Sequence, residues 1–224
     1  YKHLFASIQS LNLQLDNLPL AADFYDYIVI DEVHHVAASS YRGLLEHFEP
    51  TILLGLTATP ERHDGVDILA DFCGVIAAEI RLPEAINQRH LCPFQYFGIT
   101  DSIDLSNVRW QNGKYAPSEL TSLYTESDRR VRDIIFNIEK YVNDINDVRA
   151  IGFCVTIEHA KYMADKFSLA GFKAAFLTSE NSKDREIIRK QLKNQEINYL
   201  FVVDIFNEGV DIPEIDTVLF LRPT

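Results

Sequence analysis

The chain has 224 residues, 47% of them hydrophobic, enough to bury a core in one large domain or two small ones. Its 21 basic and 33 acidic side chains leave a formal net charge of −12, which excludes a broad basic face that wraps nucleic acid by counterion release and leaves open only a local phosphate-binding groove. Cys73, Cys92 and Cys154 lack the spacing of a disulfide framework or a zinc cluster, and no signal peptide or bilayer-length apolar run is present, so the expectation is a cytoplasmic protein with no membrane role. Because the chain starts at Tyr1 and its one methionine is Met163, it is expected to be a piece of a longer protein.

Short continuous apolar runs recur, each closed by a polar residue. Ile28 to Ile30 ends at Asp31, Ile52 to Leu56 at Thr57, Ile151 to Val155 at Thr156, Ala174 to Leu177 at Thr178, and Leu200 to Val203 at Asp204. Runs of this length predict parallel strands buried on both faces. Helical spacing is clearest in the second half. Val131, Ile134, Ile135, Ile138, Tyr141 and Val142 follow the capping residues Ser127 and Asp128; Ala160, Met163, Ala164 and Phe167 precede a stop at Gly171; Ile187, Ile188 and Leu192 follow Ser182. These stripes are assigned to the core. Strands alternating with helices predict an α/β fold. Between 101 and 128 the pattern weakens, and Asn112-Gly113 fits a tight hairpin. The chain therefore divides into 1–100, a junction over 101–128, and 129–224.

The stretch "YIVIDEVHH", 27 to 35, places two adjacent acids at a strand end. In open parallel sheets, ligands bind beyond the carboxyl ends of the strands. Ser, Thr and Asp also cap the helices that follow strands, and for Thr156, Thr178 or Asp204 taken singly the cap is the preferred reading. Asp31-Glu32 differs, since a second acid adds repulsion unless a cation or a proton occupies the site. Asp31 suits a hydrated Mg²⁺ that bridges nucleotide phosphates, and Glu32 a base for the attacking water. His34 and His35 do not make a zinc site, because the metalloprotease pattern needs His-Glu-x-x-His on a helix. For His35 an ordinary side chain is expected. Thr57 and Thr59 fit a site as well as they fit a capped turn ended by Pro60.

"VIDEVHH", "LGLTATPERHDG" and "FVVDIFNEGVDIP", in that order and spacing, resemble the superfamily-two DEAD/DEAH-box ATP-dependent helicases and translocases, in the branch related to type I and III restriction-enzyme motors and with a likeness to DNA-repair helicases. The resemblance implies two RecA-like parallel-sheet lobes, both incomplete here, with ATP and Mg²⁺ as cofactors and nucleic acid, expected to be DNA, as partner. It implies that Asp31 is the Mg²⁺ ligand, Glu32 the catalytic base and His34 a coupling residue, with Thr57 and Thr59 linking hydrolysis to strand movement. Ser7 and Gln9 in "LFASIQSL", Thr178 in "FLTSE" and Asp204 match positions that contact the nucleic-acid backbone, and Gly209 and Asp211 match positions beside the nucleotide. Where many relatives have Arg before that glycine this chain has Glu208, which receives no phosphate contact.

No G-x-x-x-x-G-K-[ST] loop occurs, and the one Gly-Lys, Gly113-Lys114, is followed by Tyr115. The resemblance places that loop upstream of Tyr1 and an arginine-finger segment beyond Thr224. The isolated chain is therefore expected to be inactive and to self-associate through an exposed sheet edge. Two alternative readings are a metal-dependent phosphoesterase or nuclease using the same acids and histidines, and a non-catalytic interaction module.

Overall fold

The computed structural model describes residues 3–35, 39–59, 68–111, 113–203 and 212–223. The chain divides into two compact units, 1–94 and 95–224.

In the first unit, α1 (Ile8–Asn12) is followed by β1 (Tyr27–Ile30), a 3-10 turn over Val33–His35, α2 (Ser39–His47) and β2 (Ile52–Gly55). A 3-10 turn over Ile68–Phe72 and the short α3 (Leu82–Asn87) complete it. β1 and β2 pair in parallel, Tyr27 opposite Ile52 through Ile30 opposite Gly55. One face of the pair covers a core of Leu15, Ile30, Val33, Leu44, Phe48 and Ile68. Burial on both faces, expected from the continuous apolar runs, does not hold here. Tyr27, Val29, Ile52 and Leu54 are exposed, because the described residues pack against one side only of this two-stranded sheet.

The second unit opens with a hairpin, β3 (Trp110–Gln111) and β4 (Lys114–Tyr115), then α4 (Pro117–Thr125) and α5 (Asp128–Tyr141). There follow β5 (Ala150–Phe153), α6 (Ile157–Leu169), β6 (Ala174–Leu177), α7 (Arg185–Lys193), β7 (Tyr199–Val202) and β8 (Thr217–Phe220). The four later strands form one parallel sheet in the order β6-β7-β5-β8. Alternate residues of β5 and β7 face opposite layers, as the strand period of two requires. Tyr199 and Phe201 meet α5 and α6 through Val131, Ile138, Met163 and Phe167, while Ile151, Leu200 and Val202 meet Ile188 and Leu192 of α7. All four residues of β7 are fully buried, so continuous burial holds for this central strand.

The helix ends follow from local chemistry. Ser127 accepts the Arg130 N–H and starts α5; Thr156 accepts the His159 N–H and starts α6. At the end of α6, Gly171 (φ +94°) donates to Ser168 C=O and Phe172 donates to Phe167 C=O, the paired bonds of a Schellman stop, with the two phenylalanine rings in contact. Ile187 departs from its expected core role: α7 buries Ile188 and Leu192 and leaves Ile187 exposed. Among the described residues no helix is long and apolar enough to cross a membrane.

A Cβ at Gly152 would lie 2.7 Å from Phe201 Cδ1, inside a layer that has no slack. Gly152→Ala is expected to lower stability by about 1–3 kcal/mol, read from the urea midpoint, whereas an unchanged midpoint would mean that Phe201 has room to move.

Candidate functional site

The site forms where β1 and β2 end. Leu56 N–H donates to Ile30 C=O, and Leu56 C=O accepts the Val33 N–H, both at 2.9 Å. In a regular parallel ladder one partner residue bridges positions two apart; here it bridges Ile30 and Val33, three apart. One extra residue is accommodated at Asp31-Glu32, as in a β-bulge, and the acids leave the ladder. Glu32 takes up the turn with φ +49°, a left-handed conformation that costs a non-glycine residue about 1 kcal/mol or more. Asp31 steadies it by accepting the Glu32 N–H on Oδ1 at 3.0 Å.

The extra residue brings four sequence-predicted positions together. His34 Nδ1 lies 2.9 Å from Thr57 Oγ1 and 3.4 Å from Glu32 Oε2. Thr57 Oγ1 also accepts the Thr59 N–H at 3.0 Å. A carboxylate only accepts, so its position beside Nδ1 favours the tautomer with the proton on that nitrogen, which then donates to Thr57. A relay of Glu32, His34, Thr57 and the Thr59 backbone thus joins the two strand ends. Asp31 stands beside it, exposed, and among the described residues no lysine or arginine pairs with either carboxylate. Behind the relay, a Cβ at Gly55 would come within 3.0 Å of Phe72 and Val33, so the strand end is also closely packed.

The relay includes none of the other predicted residues that are described. Ser7 caps α1, accepting the Ser10 N–H at 3.2 Å, and Gln9 is exposed on that helix. Thr178 follows β6 and is fully buried. Asp204, Gly209 and Asp211 lie outside the described residues, as does Glu208. Among the described residues no group of three or more His, Cys, Asp or Glu could hold a metal ion.

The second unit contains a buried polar cluster with no signal in the spacing of the sequence. Arg130, 5% exposed, donates from Nε to Asp101 at 2.7 Å and from Nη2 to Leu221 C=O at 3.1 Å, with its guanidinium 3.9 Å from the Tyr124 ring centre. Its Nη1 is 3.5 Å from His159 Nε2. His159 Nδ1 accepts the Val155 N–H at 3.3 Å, so the ring proton sits on Nε2. Burial, helped by the Arg130 charge, pushes His159 down to about 3 and keeps it neutral; Asp101 opposes the shift. Thr121 donates to Pro117 C=O, which leaves it to accept from Thr156 at 2.7 Å, tying α4 to the start of α6. An open groove lined by Ser118, Ser122, Thr156 and Glu158 runs along that tie.

Parallel α/β sheets with polar residues where the strands end define the class, a RecA-like fold. Residues 1–62 match the family "Type III restriction enzyme, res subunit", and residues 130–224 match "Helicase conserved C-terminal domain". The two matches together take in most of the chain and relate it to helicases and to restriction-enzyme subunits. It is 30% identical over 200 residues to a 51.5 kDa protein of a Lactococcus phage, covering 88% of this chain and 42% of that protein. It is 28% identical to the putative ATP-dependent helicase IRC3 of Saccharomyces cerevisiae, covering 99% of this chain and 32% of that protein, and 29% identical to the type I restriction enzyme EcoAI endonuclease subunit of Escherichia coli, covering 64% and 20%. The helicase domain of Hef from Pyrococcus furiosus has the same fold, with a TM-score of 0.52 at 14% identity, covering 97% of this chain and 69% of that one. The chain spans about a third to two fifths of the length of the first of these curated relatives.

Two outcomes test the geometry. Stability changes of His34→Ala and Thr57→Val should fail to add, with a coupling of about 0.5–3 kcal/mol in a double-mutant cycle; additive effects would break the relay. For His159 the folded value lies below the unfolded one near 6.5, so its contribution is complete above pH 6.5 and is lost as pH falls toward 3, at up to about 1.4 kcal/mol per unit. Urea denaturation of wild type and His159→Gln from pH 7 to pH 4 should show the gap between them narrowing as acid is added.

Proposed function

We propose that the chain supplies the hydrolytic and coupling part of an ATP-dependent DNA helicase or translocase, which couples Mg-ATP hydrolysis to movement along nucleic acid. The observation that carries this reading is the relay from Glu32 through His34 to Thr57 and Thr59. A strand-end acid that only needed solvent would not require an extra residue in the ladder and a left-handed Glu32.

The residues fit the cofactors. Asp31 offers an exposed carboxylate with one oxygen held by the Glu32 N–H. A magnesium ion keeps most of its waters and requires only one or two carboxylates, so no larger ligand cluster is needed. When bound, the ion neutralises nucleotide phosphates. Glu32 is the base that takes a proton from the attacking water. His34 senses the charge on Glu32, because a protonated Glu32 no longer attracts the Nδ1 proton, and Thr57 passes that change to the segment through Thr59. Gly209 and Asp211 are assigned to the nucleotide, and Ser7, Gln9, Thr178 and Asp204 to the nucleic-acid backbone, on the family likeness. Contacts of that kind position a strand with little sequence readout. DNA is preferred over RNA on the likeness to restriction-enzyme motors.

In the full-length protein, Glu32→Gln should reduce nucleic-acid-stimulated phosphate release by about 10²- to 10⁴-fold while fluorescent-nucleotide binding persists. Unimpaired turnover would remove Glu32 from the chemistry, and equal stimulation by RNA and DNA would remove the DNA preference. The 224 residues alone, which contain no phosphate-cradling loop, should release phosphate no faster than their own Glu32→Gln variant.

A further inference from the structure

Trp110 is the one tryptophan of the chain and is 62% exposed, although it stands on the tied hairpin of the second unit. Trp110 pairs with Tyr115 and Gln111 with Lys114, and Gly113 makes the turn with φ +75°. The ladder is extended by Ala116 N–H donating to Arg109 C=O at 2.8 Å. Arg109 donates its backbone N–H to Glu119 at 2.9 Å, and its guanidinium pairs with the same carboxylate, which fastens the strand to α4. Beneath the hairpin, Val108, Leu120 and Tyr124 form a small core against which Tyr115 packs. The Trp110 indole meets the Tyr115 ring edge-on at 4.8 Å and is otherwise open to solvent. It is therefore held in place before any ligand arrives, and binding would cost it little conformational entropy.

The surroundings indicate the occupant. Arg109, Gln111 and Lys114 are exposed on the same hairpin, where a protein hot spot would have a ring of packed contacts that exclude water. Arg109 is neutralised by Glu119, which leaves Lys114 as the cation of the hairpin tip within a protein of net charge −12. Lys114 forms no ion pair among the described residues. By strand alternation Lys114 projects from the side of the hairpin opposite Trp110, and the hairpin is only two pairs deep, so a strand crossing its tip meets both. A planar ring joined to a phosphate matches an exposed π face on a hairpin whose other face carries a cation.

We infer that Trp110 is a stacking platform for an unpaired base of single-stranded nucleic acid, with Lys114 beside a phosphate. The inference rests on the reading of the chain as a nucleic-acid-binding protein. Because Trp110 is the sole tryptophan, the full 224-residue chain reports on the contact without a label of its own. Titration with an end-labelled oligothymidylate, followed at once by label anisotropy and tryptophan emission, should give a saturating loss of emission that tracks binding. An abasic oligomer with the same phosphates should bind without quenching. Trp110→Ala should weaken oligothymidylate binding about tenfold and leave abasic binding unchanged, while Trp110→Phe retains most of the affinity. If Trp110→Ala loses its circular dichroism, the wild-type emission with oligothymidylate against the abasic oligomer decides the matter. Binding with unchanged emission, or an unaffected Ala variant, overturns the platform and leaves the nucleic-acid reading standing; no binding to any oligomer overturns both.

Discussion

The first unit depends on a parallel ladder that runs one residue out of step. His34 and Thr57 are 23 positions apart in sequence and meet only because β1 and β2 run in the same direction and end together. A regular ladder would then carry the acids along the sheet edge with alternating orientation. Bridging Ile30 and Val33 through the single residue Leu56 instead sets Asp31 and Glu32 outside the hydrogen-bonded frame, and Val33 returns to the core. Backbone strain at Glu32 is the local cost, and the bonds on either side of it, from Leu56 and to Asp31, hold it in place.

The second unit meets a different constraint: a charge that must be buried. Arg130 at 5% exposure would be strongly unfavourable alone. It is tolerated because Asp101, Leu221 C=O and the Tyr124 face each satisfy a different part of the guanidinium. The remaining neighbour, His159, is committed by its bond from Val155 to presenting an N–H, so the Arg130 contact gains nothing from it, and the ring stays neutral. One cation thereby fixes the segment before the hairpin, the buried face of α4 and the exit of β8.

Much of this architecture could be read from the order of residues. Val131 and Ile138, and Ala160 with Met163, Ala164 and Phe167, lie in the core as their spacing required, and Gly171 stops its helix. The acids at 31 and 32 stood out because two like charges at a strand end need a reason. What escaped depended on neighbours distant in sequence. β8, with alternate residues exposed, gives a weaker run than the strands buried on both faces. α4 buries Leu120, Thr121 and Tyr124, and a threonine in the middle of the stripe conceals its helical period. The Arg130 cluster joins positions 101, 124, 130, 159 and 221, a set that no local spacing reveals. The face of β1 and β2 left open could not be foreseen either, since an apolar run does not say how many of its sides will be covered.

The two threonine sites that resembled each other in sequence are separated by where their oxygens are used. Thr156 follows an apolar run, and its hydroxyl serves the N–H three residues ahead and the facing helix α4, which accounts for both of its bonds as structure. Thr57 also follows an apolar run, yet the bond to Thr59 uses only one of its capacities; the other crosses to His34 on the neighbouring strand end. A capping hydroxyl closes a circuit within its own helix, whereas Thr57 closes one that passes through a titratable ring and an exposed carboxylate. The relay therefore links Glu32 to residues 57–59 through His34, a link across strand ends that Thr156 does not make. The distinction lies in the second bond, and it is visible only once β1 and β2 are side by side.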